Sequence, residues 1–159
     1  MYVLDTNIFR KLLDHLPKKG KAFEGIWECI ENAILNGECI SVDECFNEIA
    51  NHYSDESDNY KWVYQRKAMF LNPTNEESLI IRELFKKAKM QESVHQKNIL
   101  ANRPSADVYI AAKAKSMNAI VVTAEDYKPH SAQLPNICEE LGIQCISYDD
   151  FMAAITKMK

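Results

Sequence analysis

The sequence predicts an α/β protein: a three-layer α/β/α sandwich around a central parallel sheet of four to five strands. Three observations predict it. Short β-like runs are separated by helical patterns, the order that builds parallel sheets covered on both faces. One of those runs, Ile120-Val121-Val122, is near-continuously apolar, as a strand buried on both sides must be. The 159 residues, 47% apolar and 26% charged, make a globular mixture with enough chain for one real core. One domain over residues 1–159 is therefore expected.

Taken in order, the first strand is Tyr2-Val3-Leu4, and Asp5, Thr6 and Asn7 follow it into a helix. Phe23, Ile26, Trp27, Ile30, Ala33 and Ile34 then share one helical face. A second strand, residues 39–42, leads into a helix with Cys45, Phe46, Ile49, Ala50 and Tyr53 on its buried side. Residues 54–59 (SDESDN) read as an acidic loop before a helical stretch through Trp62 and Phe70. Leu79, Ile80, Leu84, Phe85 and Ala88 form another apolar face. Ser105 is placed to cap a helix carrying Ala106, Ile110, Ala114 and Met117. The apolar strand at 119–123 comes next. A helix then runs from Cys138 to Leu141, with Gly142 to close it, and a strand follows at 144–148. Asp149 is the expected cap of a terminal helix through Phe151, Ile155 and Met158.

Composition narrows the function. Only 4 Gly and 5 Pro leave no collagen-like or linker-like reading. No apolar run nears the roughly 18 residues of a membrane span. The opening MYVLDTN lacks the basic and apolar regions of a signal peptide, so a cytoplasmic protein with no membrane contact is expected. A net charge of −4 does not by itself steer the chain to nucleic acid, so phosphate contact would need local basic patches or bound cations. Cys29, Cys39, Cys45, Cys138 and Cys145 form no CxxC and no zinc-like spacing with histidine, which points to reduced, mostly buried thiols.

The informative residues are acids at strand ends. Ligands of such sheets gather at the carboxyl ends of the strands. Asp5 ends the first strand, Glu44 and Glu48 follow the second, Asp107 opens the helix after Ser105, and Glu125 and Asp126 lie just beyond Thr123. On the helical wheel Glu48 falls near the Cys45 edge, where it reaches a cleft, whereas Glu44 falls nearly opposite the buried face. Each acid also has a plainer reading, as a helix cap, a partner of the helix dipole or a solvated turn residue. Together they are more specific. Converging carboxylates repel one another unless divalent cations lie between them, and an all-oxygen set suits Mg²⁺ or Mn²⁺. Such a cluster activates water and neutralises a phosphodiester.

Five segments carry a resemblance. They are Val3-Leu4-Asp5-Thr6-Asn7, Ile40-Ser41, Asn47-Glu48-Ile49, Ala106-Asp107 with Ile110-Ala111-Ala112-Lys113-Ala114, and Ile120-Val121-Val122-Thr123-Ala124-Glu125. In this order, across nearly the whole chain, they resemble the PIN domain family of metal-dependent nucleases, which includes the VapC-like toxins of toxin–antitoxin pairs. The resemblance implies metal-binding roles for Asp5, Glu48 and Asp107, and orienting roles for Asn7, Ser41 and Thr123. Most members carry an aspartate two residues after the strand-end threonine. Here that position is Glu125, and Asp126 follows, so the fourth acid is one of these two. The longer connection at 127–136 marks an uncharacterised PIN-like subfamily.

The resemblance therefore implies a metal-dependent endoribonuclease, using Mg²⁺ or Mn²⁺ on an RNA substrate, with an antitoxin protein as partner and a homodimer as its assembly. In toxin-like members the antitoxin or a second subunit packs on the early helices. Arg10, Lys11 and Arg103 lie nearest the acids in sequence and are the expected phosphate contacts. Tyr60, Trp62 and Tyr64 suit base stacking, or else a core or partner surface. Two rivals stand beside this reading. A non-catalytic PIN-like binding module would share the fold. A phosphatase of the haloacid dehalogenase type also ends its first strand in an aspartate, but it needs a second acid two residues on, where this chain has Asn7.

Overall fold

The computed structural model describes residues 1–18, 21–86 and 105–157. The strands are β1 (Tyr2–Leu4), β2 (Cys39–Val42), β3 (Phe70–Leu71), β4 (Ile120–Thr123) and β5 (Cys145–Ser147). Around them run α1 (Thr6–His15), α2 (Glu24–Leu35), α3 (Asp43–His52), α4 (Asp58–Gln65), α5 (Asn75–Phe85), α6 (Ala106–Met117), α7 (Leu134–Leu141) and α8 (Tyr148–Ile155). All strand pairs are parallel, in the order β3-β2-β1-β4-β5. This is the expected three-layer α/β/α sandwich.

The order places the site. The chain winds outward from β1 through β2 to β3, then restarts on the other side of β1 with β4 and β5. The direction of winding reverses between β1 and β4, and at such a reversal a crevice opens beyond the carboxyl ends of the strands. Register aligns Leu4 with Val122, and the Asp5 amide continues the ladder onto the Val122 carbonyl at 3.1 Å. Asp5 and Thr123 thus emerge side by side. Val3, Leu4, Val121 and Val122 are wholly buried, so both central strands are covered on both faces. Phe70 packs against Phe9 and Phe46, with ring centroids at 5.2 and 5.5 Å, and this tucks the β3 edge under α1 and α3.

Local chemistry sets the helix starts. Ser57 caps α4 through the Tyr60 amide at 3.1 Å. Thr74 and Glu77 form a reciprocal capping box on α5. Ser105 accepts from the Asp107 amide at 3.3 Å, as expected of the α6 cap. Gly142 closes α7 with φ +64°, a left-handed turn that glycine adopts without a Cβ penalty.

Several local expectations are corrected. Phe70 lies in a short strand rather than at the end of a helix, because α4 stops at Gln65 and a 3₁₀ turn, Lys67–Met69, intervenes. The terminal helix is capped by Ser147, whose hydroxyl accepts from the Asp150 amide at 3.1 Å, and not by Asp149. Leu79 is 51% exposed, and α5 turns Glu77 and Leu84 inward instead. Ala88 and Met158 lie outside the described residues. Among the described residues, no helix is long and apolar enough to cross a membrane.

Candidate active site

Asp5 is the centre of the site. It precedes α1 but makes no side-chain cap bond, so helix capping does not account for it. Its Oδ2 instead accepts from the Thr123 hydroxyl at 2.7 Å. That hydroxyl oxygen also accepts from Asn7 Nδ2 and from the Glu125 amide, each at 3.1 Å. Asn7 Oδ1 in turn accepts from the Ala124 amide at 2.9 Å. The residues after β1 and the residues after β4 are therefore cross-tied, and the Asp5 carboxylate is held in one orientation at the switch point. Ser41 works one layer below, where its buried hydroxyl donates to the Leu4 carbonyl at 2.7 Å.

The electrostatics follow from this packing. Asp5 is 5% exposed. Burial pushes its acid up to about 7, the Thr123 hydroxyl opposes the rise, and the Asp107 and Glu125 carboxylates reinforce it. Asp107, buried in the first turn of α6, and Glu125, beyond β4, are thus brought within electrostatic reach of Asp5 from two other elements. One Glu125 oxygen accepts from the Leu134 amide at 2.9 Å, which fastens this acid to the first turn of α7. Asp126 is exposed.

Glu48 approaches from α3. It is exposed, and its Oε2 accepts from the Thr6 hydroxyl at 2.6 Å, one residue from Asp5. Glu44, expected to face away from the core, is half-buried. One of its carboxylate oxygens is enclosed without a hydrogen-bond partner, and burial raises its acid. It lies within reach of Lys113 and Glu77, so α6 and α5 cover the side of α3 that a wheel of α3 alone leaves open.

Four acids from four chain segments therefore gather at one edge of the sheet. Among the described residues, no three Asp, Glu, His or Cys side chains stand close enough to enclose an ion as they are. The donor set is all carboxylate. No cysteine joins it: all five thiols are free, four are buried, and burial raises Cys39 to about 12 and Cys45 further. Asn7 spends its side chain on Thr123 and Ala124. It offers no proton at the place where a dehalogenase-type phosphatase needs its general acid.

Beside the acids runs a groove of about 230 Å³ lined by Asn7, Arg10, Lys11, Asp14, His15 and Ala124. Lys11 and Arg10 are both exposed there. Arg103 lies outside the described residues. At the far end of α1, Trp62 packs edge-on against Trp27 at 5.5 Å and is 7% exposed, so it belongs to the core. Tyr64 is 57% exposed and stacks on Tyr60 at 5.9 Å.

A family model described as a domain of unknown function, DUF4411, matches residues 2–158. The chain belongs to the DUF4411 family. No curated protein sequence matches it. Among solved structures it is similar to VapBC-1 from nontypeable Haemophilus influenzae. The TM-score is 0.52 at 18% identity, over 93% of this chain and 98% of that one. It is also similar to VapBC2 from Rickettsia felis, solved with a DNA fragment from their promoter. There the TM-score is 0.50 at 14% identity, over 92% and 97% of the two chains. These likenesses are of fold: this DUF4411 chain shares the architecture of the two VapBC structures, a three-layer α/β/α sandwich as expected from its sequence.

Proposed function

We propose that this protein is a metal-dependent endoribonuclease and the toxin of a toxin–antitoxin pair. One observation carries the reading. Asp5 is buried at the strand switch point; burial raises its acid to about 7 against the Thr123 hydroxyl, and the Asp107 and Glu125 carboxylates add to the rise. A fold gains no stability from such crowding, whereas a divalent cation relieves it. Asp5, Asp107, Glu125 and Glu48 would hold Mg²⁺ or Mn²⁺. When bound, the cation supplies Lewis-acid polarisation of the phosphoryl oxygen and lowers the pKa of water.

The chain's own residues do the rest. Thr123 fixes the orientation of Asp5, and Asn7 fixes Thr123. Glu48 and Thr6 hold the α3 side of the crevice closed on the same edge. Arg10 and Lys11 grip the phosphate backbone beside the acids. No side-chain nucleophile is required. The partner surface on this reading is the cleft of about 520 Å³ between the end of α1 and α4, lined by Leu13, Leu16, Lys18 and Trp62 among others. It would take the antitoxin, or a second copy in a homodimer, away from the acids.

End-labelled single-stranded RNA incubated with Mn²⁺, Mg²⁺ or EDTA, beside an Asp5→Asn variant, tests the reading. Cleavage that requires metal and disappears in the variant is the expected result. Absence of cleavage together with absence of Mn²⁺ binding by calorimetry would leave a non-catalytic binding module instead.

A further inference from the structure

Two of the five thiols stand apart from the others. Cys138 lies on the buried face of α7 and is 1% exposed. It sits one helical turn beyond Leu134, whose amide donates to Glu125. Gly142 ends that helix, and the Ile143 amide turns back onto the Cys138 carbonyl at 2.9 Å. The chain then enters β5 at Cys145, opposite Val121 and on the edge of the sheet. This reversal brings the two side chains together, and the Cys138 and Cys145 thiols are hydrogen-bonded to each other. Cys145 is half-buried, so solvent reaches it, whereas Cys138 is closed off. The shared hydrogen bond and burial hold the Cys138 proton far above the usual thiol range. The same bond draws the Cys145 thiol below that range, against burial and the Asp5 and Glu125 charges. Cys29, Cys39 and Cys45 are buried. An accessible, more acidic thiol backed by a closed-off one is the arrangement of a redox-sensing cysteine and its resolving partner.

We propose that Cys145 and Cys138 are an oxidative modification site, at which a hydroperoxide converts the two thiols into a disulfide that ties α7 to β5. The Cys145 thiolate attacks one peroxide oxygen. An S–O bond forms as the O–O bond breaks, and the departing hydroxide takes up the Cys145 proton as water. The Cys138 sulfur then attacks the resulting sulfenic sulfur. An S–S bond forms as the S–O bond breaks, and the Cys138 proton leaves with the departing oxygen as a second water. Two electrons pass from the sulfurs to the peroxide. A dithiol reductant returns them by exchange and is itself left as a disulfide. The disulfide holds its sulfurs at about 2.05 Å, closer than two hydrogen-bonded thiols. Its formation therefore draws α7 toward the sheet edge, and α7 begins at the amide on which the Glu125 carboxylate rests. The acid cluster thus has an oxidant-sensitive neighbour. The chemistry needs neither cation nor RNA, so the inference is independent of the nuclease reading.

The test treats the reduced native chain with hydrogen peroxide in metal-free buffer, blocks the remaining thiols with N-ethylmaleimide, and maps the digest by mass spectrometry. The expected product is one linked peptide pair holding Cys138 and Cys145, lighter by two hydrogens than its parts. Dithiothreitol should reverse it, and Cys29, Cys39 and Cys45 should carry the blocking group. In the untreated native chain, iodoacetamide should label Cys145 more than roughly tenfold faster than any other thiol. Two variants assign the roles. In Cys138→Ala, Cys145 loses the donor that acidifies it, so its labelling should slow, and peroxide should leave a sulfenic acid that dimedone traps. In Cys145→Ala, Cys138 should resist peroxide. Circular-dichroism melts check that both fold, and Cys138→Ser, nearly equal in volume to the native residue, replaces Cys138→Ala if that variant does not. Five free thiols after peroxide overturn the inference. So does a disulfide between other cysteines or between two chains, or a Cys145 that is oxidised past sulfenic acid while Cys138 stays a thiol. An unchanged labelling rate for Cys145 in Cys138→Ala overturns the role given to the shared hydrogen bond. None of these outcomes bears on metal-dependent RNA cleavage, which succeeds or fails by its own assay.

Discussion

Two places among the described residues bury charge in opposite ways. Between α5 and α6, Lys113 and Glu77 form an ion pair at 2.8 Å with both side chains 3% exposed. Both members of the pair make further hydrogen bonds. Lys113 donates to the Asn72 carbonyl at 2.9 Å, and Ser116 donates to Glu77 at 3.1 Å. The other Glu77 oxygen completes the capping box with the Thr74 amide. At the β1–β4 switch point Asp5 is buried almost as deeply, yet its charged neighbours are carboxylates of its own sign. The first arrangement is what a buried charge needs if it serves the fold. The second gives the fold no opposite charge to pair with, and that is the feature on which the cation site proposed above rests.

The contrast is broken most sharply at Asp5. On the proposed function, Asp5→Asn lowers metal-dependent cleavage by more than the roughly 10–100-fold that losing an outer partner of a metal ligand costs. The protein stays folded, because the Asn side chain still accepts the Thr123 hydroxyl. Labelled-RNA cleavage beside a circular-dichroism melt checks both halves. An inactive but folded variant places Asp5 in the chemistry, whereas an unfolded one makes it part of the scaffold.

Lys113 is predicted to behave the other way. Lys113→Met strands the buried Glu77 carboxylate and costs about 3–5 kcal/mol. Adding Glu77→Gln removes the stranded charge, keeps the capping box, and restores much of the loss. Urea denaturation of the native chain, both single variants and the double variant measures the coupling. A coupling near zero would mean that the pair contributes nothing as a pair. Cleavage should follow only the folded fraction.

The third prediction sets the two clusters against pH. The folded acid of Asp5 is raised from 3.8 to about 7, so the folded chain keeps a proton that the unfolded chain releases. The associated stability is complete below 3.8 and is lost as pH rises through about 7. Without divalent cation, stability should therefore fall by up to a few kcal/mol across that window. Mn²⁺ binds the ionised form and should restore it at the upper end. Asp5→Asn should flatten the slope and abolish the Mn²⁺ effect, while Lys113→Met leaves both in place. A native chain with no such slope would show that Asp5 is ionised at neutral pH even without metal.

These regions also differ in how far the sequence reveals them. Strand ends announce themselves: an apolar run such as Ile120-Val121-Val122 has a definite last residue, and parallel topology carries all such ends to one edge. Asp5, Asn7, Thr123 and Glu125 were therefore legible as neighbours despite separations of over a hundred residues. The Lys113–Glu77 pair was not. A lysine within Ala111-Ala112-Lys113-Ala114 looks the same whether it faces water or a carboxylate, and α5 alone does not show that Glu77 turns inward. Glu44 was misplaced for the same reason, since a helical wheel shows one helix and not the second helix lying across it. β3 was missed because two residues carry no period. The terminal cap went to Asp149 instead of Ser147 because either side chain can satisfy the same amides.

The smallest effect separates the two adjacent acids beyond β4. Glu125 acts on Asp5 and ties its own amide to the Thr123 hydroxyl, whereas Asp126 is exposed. On the proposed function, Glu125→Gln should weaken Mn²⁺ binding on the order of tenfold, within the range seen for groups that support or complete a metal site. The amide still accepts from Leu134, so α7 keeps its start and stability changes little. Asp126→Asn should shift binding by less than about twofold, the scale of a surface substitution. Calorimetric Mn²⁺ titration of both variants decides the matter. A larger loss at Asp126 would mean that the segment after Thr123 swings a different carboxylate inward when the cation binds. The longer reach of glutamate would then be a feature of the helix start it fastens, and the switch-point cluster would hold one acid fewer than its geometry suggests.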